Sequence, residues 1–123
     1  MRIAVIGSRG IEVQNLESYL PPNVTELISG GAKGIDQCVR RYAETAGIPF
    51  VEFLPRYSRY GRGAPFKRNE EIVLRAECVI ALWDGASKGT KNTIRLCKTM
   101  GKPVTVFVVR ADGTVSKSAC SII

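Results

Sequence analysis

Glycine, a small hydroxyl and a basic side chain recur together three times in this chain, each time just past an aliphatic run. The three segments are Gly7-Ser8-Arg9-Gly10, Ser29-Gly30-Gly31-Ala32-Lys33-Gly34-Ile35-Asp36 and Trp83-Asp84-Gly85-Ala86-Ser87-Lys88-Gly89-Thr90. Phosphate binding is the chemistry that composition serves. Glycine lets the backbone approach an anion and adopt positive φ, so successive amides turn toward phosphate oxygens. A helix starting there adds unpaired N–H groups and the positive end of its dipole. Ser29, Ser87 and Thr90 offer hydroxyl donors, and Arg9, Lys33 and Lys88 offer charge. A single loop of this kind is also explained by the steric needs of a tight strand-to-helix turn. Three at one sheet edge argue for a site. Neither a Walker A loop nor Gly-x-Gly-x-x-Gly occurs, which counts against NTP hydrolysis and a dinucleotide fingerprint.

Two acids accompany these loops, and each has two readings. Asp36, in the first turn of a helix, either complements the helix dipole or shapes the ligand loop. Asp84 either faces the site or forms an Asx turn. Trp83 and Tyr60 could stack on a base, and Trp83 could equally plug the end of the sheet. Between residues 56 and 68 stand five positive charges and no acid, interleaved with Tyr57, Tyr60 and Phe66. Arginine with aromatics holds phosphates and stacks bases, so this connector reads as a functional lid; a solvated basic loop with its Tyr stems packed down is the plainer reading.

The 123 residues include 18 Lys+Arg against 11 Asp+Glu, a net charge of +7, and no histidine. A Ser-His-Asp triad, His-containing zinc sites and imidazole acid–base catalysis are thereby excluded. Cys38, Cys78, Cys97 and Cys120 form no CxxC pair, so no metal or redox cofactor is expected; they read as buried reduced thiols, Cys120 being the most exposed. An apolar content of 45% with 24% charged residues is that of an ordinary globular chain. The five-residue apolar run at the N-terminus is too short for a signal core, and no run nears a membrane span, so a cytoplasmic protein without membrane contact is expected.

Positioning these loops requires alternating strands and helices. Arg2–Gly7, Val24–Ser29, Phe50–Leu54, Cys78–Trp83 and Pro103–Val109 read as strands, and their continuous apolar runs suit parallel strands covered on both faces. Helical spacing marks Glu12–Leu20, Gly34–Ala46, Pro65–Ala76 (with Phe66, Ile72, Val73 and Ala76 inward) and Thr90–Met100. The expected fold is an α/β, Rossmann-like three-layer sandwich with a five-stranded, mostly parallel sheet over residues 1–110. Residues 111–123 form either a tail or, through a turn at Asp112-Gly113, a short added strand.

With these loops in hand, the chain resembles the SLOG superfamily, the Rossmann-like group that includes DprA/Smf and the LOG phosphoribohydrolases, and within it the YspA-like family related to YpsA. Gly7-Ser8-Arg9, the Ser29–Asp36 segment, Tyr60-Gly61 with Arg68-Asn69, and Trp83-Asp84-Gly85-x-Ser87-x-Gly89-Thr90 carry the resemblance. It implies a sheet-edge pocket for a nucleotide or nucleotide-derived ligand built from those residues. LOG enzymes cleave the N-glycosidic bond of nucleoside monophosphates with a Pro-Gly-Gly-x-Gly-Thr-x-x-Glu loop and an upstream arginine. Arg68 matches that arginine, but Trp83-Asp84 replace Pro-Gly and Thr93 stands at the glutamate position. An oxocarbenium-like transition state needs a nearby carboxylate, so cleavage here would require Asp84 or Asp36 as substitutes beside Arg68. DprA-like relatives bind single-stranded DNA, a role the basic 56–68 segment would suit. The first expectation is a binding module for a phosphate-bearing, nucleotide-derived small molecule, of the kind a sensor or signal-processing component uses, with a homodimer compatible with the fold.

Overall fold

A computed structural model describes residues 1–31 and 33–121, with backbone alone over 118–121. Along the chain run β1 (Arg2–Gly7), a 3₁₀ turn (Leu16–Tyr19), β2 (Glu26–Ser29), α1 (Ile35–Ala46), β3 (Phe50–Glu52), a one-turn helix α2 (Tyr57–Tyr60), a second 3₁₀ turn (Gly61–Gly63), α3 (Ala64–Arg75), β4 (Cys78–Trp83), α4 (Lys88–Met100), β5 (Val104–Val109) and β6 (Val115–Ser121). Among the described residues the strands form one six-stranded sheet in the order β3-β2-β1-β4-β5-β6. All neighbours are parallel except β5 and β6. This is the Rossmann-like three-layer arrangement, and residues 111–121 take the added-strand form through a turn in which Asp112 Oδ1 accepts from the Thr114 amide. Ile122 and Ile123 lie outside the described residues.

The continuous apolar runs have the expected cause. In β1, Ala4 and Ile6 pack into one core with α3 and α4, while Ile3 and Val5 pack into the other with α1 and the 3₁₀ turn. A central parallel strand has no wet face, so alternation disappears. β1 sits between β2 and β4, with Arg2 opposite Glu26 and Gly7 opposite Leu82. The chain therefore builds outward first through β2 and β3, then through β4 and β5. The loops after β1, β2 and β4 become neighbours at this reversal, where α/β sheets open a crevice.

Two expectations are corrected. The helix expected over Glu12–Leu20 is only the 3₁₀ turn Leu16–Tyr19. Asn15, at φ −116° and ψ 60°, is outside helical space, and the Ser18 hydroxyl donates to its carbonyl at 2.8 Å. Pro21 and Pro22 block extension at the other end, and a nucleus this short does not propagate. Of Val13, Leu16, Tyr19 and Leu20, the expected apolar stripe, only Leu16 is buried, while Tyr19 packs edge-on to Phe107 with ring centroids 4.9 Å apart. Second, Phe66 does not point inward: it is 57% exposed at the start of α3, whose core face is Ile72 and Val73, with Ala76 just beyond the helix. Cys38 and Cys97 are buried and Cys78 half-buried; burial pushes the Cys97 thiol up to about 11, which keeps it inert. The Cys120 side chain lies outside the described residues. Among the described residues no helix is long and apolar enough to cross a membrane.

Candidate functional site

At the reversal point lies an open cavity of about 400 Å³, the size of a small-molecule site. Its walls are the loop after β1 (Gly7, Ser8, Arg9, Gly10), Gly30 after β2, Asp36 of α1, the first turns of α3 (Pro65, Phe66, Arg68, Asn69), and Asp84 with Ser87–Thr90 at the entrance to α4; Ile6, Ile72 and Thr93 complete it.

Each wall is fixed by a local interaction. A Cβ on Gly7 would come within 2.6 Å of the Leu82 carbonyl oxygen, so only glycine fits there. Ser8 is buried and joins two loops: its amide donates to Leu82 O at 3.1 Å, its hydroxyl lies 2.9 Å from Ser87 Oγ, and it accepts the Asp84 amide at 3.1 Å. Asp84 Oδ1 accepts the Ala86 and Ser87 amides at 2.8 Å each, an Asx turn that leads into α4. Those amide donors hold the Asp84 carboxyl below its ordinary 3.8. Both readings of Asp84 are therefore realised, since it forms the turn and lines the cavity.

Asp36 is buried beneath the site, with the Ser29 hydroxyl 2.7 Å from its Oδ1. The same hydroxyl is 2.9 Å from Val5 O, which ties the carboxylate to the central strand. Above it, Arg68 donates from Nη1 to Gly30 O at 2.7 Å and from Nε to Asn69 Oδ1 at 3.0 Å. Burial pulls the Arg68 guanidinium below its usual value while Asp36 opposes the shift, and an arginine remains charged throughout. Two edges of the fork are thus engaged, and Nη2 makes no hydrogen bond among the described residues.

α4 supplies the other half. Ser87 occupies its N-cap without a side-chain cap bond, so the amides of Lys88, Gly89 and Thr90 have no intrahelical partner. Its first turn contains no acid. Gly89 has nothing within 4 Å of its Cβ position, leaving the approach to these amides open. Of the charged groups lining the cavity, both carboxylates accept from neighbouring donors, while Arg9 and Lys88 form no ion pair among the described residues. The arrangement can receive an anion at the α4 entrance beside Arg9, Arg68 and Lys88, and a flat apolar group over Ile6, Ile72 and Phe66.

Of the residues expected at the site, Gly7, Ser8, Arg9, Gly30, Asp36, Arg68, Asn69, Asp84, Ser87, Gly89 and Thr90 border the cavity. Ser29 lies one layer below, as the support of Asp36. Gly31, Lys33, Gly34, Tyr60, Trp83 and Gly85 are not on its walls. Gly31 (φ 75°) abuts Glu52 and Leu54; at Gly34 (φ 76°) a Cβ would lie 2.8 Å from the Arg9 carbonyl carbon. Both glycines serve chain packing. Trp83 donates from Nε1 to Ser87 O at 3.0 Å and packs on the core, taking its sheet-end reading. Tyr60 is held under Arg59 and Lys67, whose cations lie 5.3 and 5.9 Å from its ring. Gly85 (φ 85°) closes the Asx turn. Ala32 lies outside the described residues. The 56–63 connector is helical and leads straight into α3, with Tyr57 60% exposed, so its Tyr stems are not both packed down.

Pro65, Ile6 and Ile72 are wall residues that the motif pattern did not mark, while Gly10 of the first loop, Phe66 of the aromatic-bearing connector and Thr93 at the glutamate position were noted there without being assigned to the site. Helical spacing assigns Phe66 to the core face of α3, whereas the structure leaves it exposed on the cavity wall. Thr93 donates to Gly89 O at 3.2 Å and presents no carboxylate. Among the described residues no cluster of His, Cys, Asp and Glu could hold a metal ion. No protein-family model matches the chain, and no curated protein has significant sequence similarity to it.

Proposed function

We propose that this chain is a cytoplasmic binding module for a nucleotide or nucleotide-derived ligand. Its phosphate is bound at the α4 entrance and its base lies against Phe66. The observation that carries this reading is the convergence of three cations and the free amides of α4 on one cavity with an apolar floor. A phosphate at a helix N-terminus gains from both the unpaired N–H groups and the dipole. Arg68, braced by Gly30 and Asn69, is pre-oriented to add a charge-assisted bond at little further entropic cost.

The same geometry supports holding the ligand over cleaving it. Asp84 accepts the Ala86 and Ser87 amides and Asp36 the Ser29 hydroxyl, so both carboxylates serve the loops, and the amides that hold the Asp84 carboxyl below its usual range make it a weaker base toward water.

Titration with nucleoside monophosphates, followed calorimetrically and by thermal unfolding, tests the proposal. A ligand at a hundred times its Kd should stabilise the fold by about 2.7 kcal/mol. Arg68→Ala should weaken binding by about ten- to a hundredfold, the worth of one charge-assisted bond. Binding that survives Arg68→Ala unchanged would overturn the assignment of the site. Release of free base during the same incubations would replace the binding module with a hydrolase.

A further inference from the structure

Apart from Arg68, which lines the cavity, the cations on the other long helices are ion-paired. On α1, Arg40 meets Glu44 and Glu52, and Arg41 meets Glu12; on α3, Lys67 meets Glu70 and Arg75 meets Glu26 at 2.8 Å. α4 is different. Lys88, Lys91, Arg95 and Lys98 are all exposed, none forms an ion pair among the described residues, and the helix has no acidic residue. Their spacing of three, four and three places them in one row along about 15 Å of helix. The opposite face of α4, with Thr90, Thr93, Ile94 and Cys97, is buried. Such a row is unfavourable by itself. Lys91 and Arg95 are like charges one turn apart, and Lys88 opposes the dipole at the helix start. The flanking chain adds no relief: Asp112 is the sole acid from residue 88 onward, and its carboxylate serves the Thr114 amide and hydroxyl.

We propose that the exposed row on α4 is a docking surface for the phosphate backbone of a nucleic-acid duplex, bound without regard to sequence. Charge complementarity selects a polyanion. The absence of any aromatic or large apolar side chain between the four cations selects among polyanions. A protein partner would want a buried apolar anchor, and a single strand would want stacking platforms, and α4 offers neither. Successive duplex phosphates present a regular row of charge to such a face, and neutralising them releases counterions. Lys88 belongs to both the row and the cavity wall, but Lys91, Arg95 and Lys98 are not on that wall, so the row extends well beyond the cavity.

The test is fluorescence anisotropy of the full chain with a mixed-sequence duplex between about 50 and 200 mM salt. Four neutralised phosphates predict a log–log salt slope of about −3 to −4 and an affinity loss of about a hundredfold across that range. The triple variant Lys91→Gln, Arg95→Gln, Lys98→Gln should flatten the slope to about −1 and leave nucleoside-monophosphate binding at the cavity unchanged; each single Gln variant should flatten it by about 0.9. Circular dichroism confirms that the variants are folded. Four results would each overturn the proposal: no duplex binding at low salt; an unchanged slope in the triple variant; a preference of tenfold or more for single strand over duplex; or binding to anionic vesicles in place of the duplex.

Discussion

After β2 the chain passes through Gly30, Gly31 and Gly34 into a helix whose first turn contains Asp36; after β4 it passes through Gly85 and Gly89 into a helix with no acid at all. In the first loop the glycines answer to crowding. Gly31 lies against Glu52 and Leu54, Gly34 against the Arg9 backbone, and the Gly30 carbonyl is taken by Arg68. In the second, Gly89 faces open space beside unpaired amides and Lys88. A buried carboxylate at the start of α1 repels a phosphate there, whereas α4 attracts one. Two segments of nearly equal composition thus divide the work: one positions Arg68 and the other receives the anion.

The largest effect expected from this division is at Gly34. Its φ of 76° and its contact with Arg9 leave no room for a side chain, so Gly34→Ala should cost about 3 kcal/mol or more, read as a fall in the denaturant midpoint. A cost under about 1 kcal/mol would show that the first loop is not a steric construction. Gly89→Ala sharpens the contrast from the other side. A methyl group there meets nothing within 4 Å, and alanine favours the helix, so stability should hold or rise by about 0.5 kcal/mol. Phosphate binding should nevertheless weaken about tenfold as the methyl covers the amides. If Gly89→Ala bound nucleotide as tightly as the parent, the anion would have to sit elsewhere.

The smallest effect is the acid response of the Asx turn. The Asp84 carboxyl is held below 3.8 when folded, chiefly by the Ala86 and Ser87 amides, so its contribution is fully present above that value and is lost as pH falls through the lower folded one. Asp84→Asn should therefore flatten the stability profile only below about pH 4, measured by denaturant midpoints across the acid range. A flattening near neutrality would mean that the turn is held by something else.

The layered α/β order was legible because β1, β4 and β5 are apolar runs too continuous for anything but two-sided burial, and because α1, α3 and α4 carry clear core stripes. The Glu12–Leu20 helix misled because Val13, Leu16, Tyr19 and Leu20 have helical spacing while Asn15 and the two prolines oppose propagation, and local backbone preference prevailed. Of the site, the residues tied to strand ends were legible: Gly7, Ser8, Gly30, Asp84 and Ser87 must lie at the sheet edge once the strands are known. Trp83 and Phe66 exchanged roles, because which aromatic meets a cavity depends on the rotation of its element by a few tens of degrees, and composition holds no record of that.

By itself the amino-acid sequence determined the layers, the edge at which the loops gather and the surplus of positive charge, since each follows from local pattern and count. Tertiary structure alone decided which glycines face a ligand and which face their own backbone, because that depends on the side chains of elements distant in sequence: Ile35 and Leu82 against Gly7, Leu54 against Gly31, Arg68 against Gly30. It also decided that Arg40 and Arg41 of α1 and Lys67 and Arg75 of α3 find carboxylates while the cations of α4 face solvent together, because an ion pair is a matter of proximity in the fold.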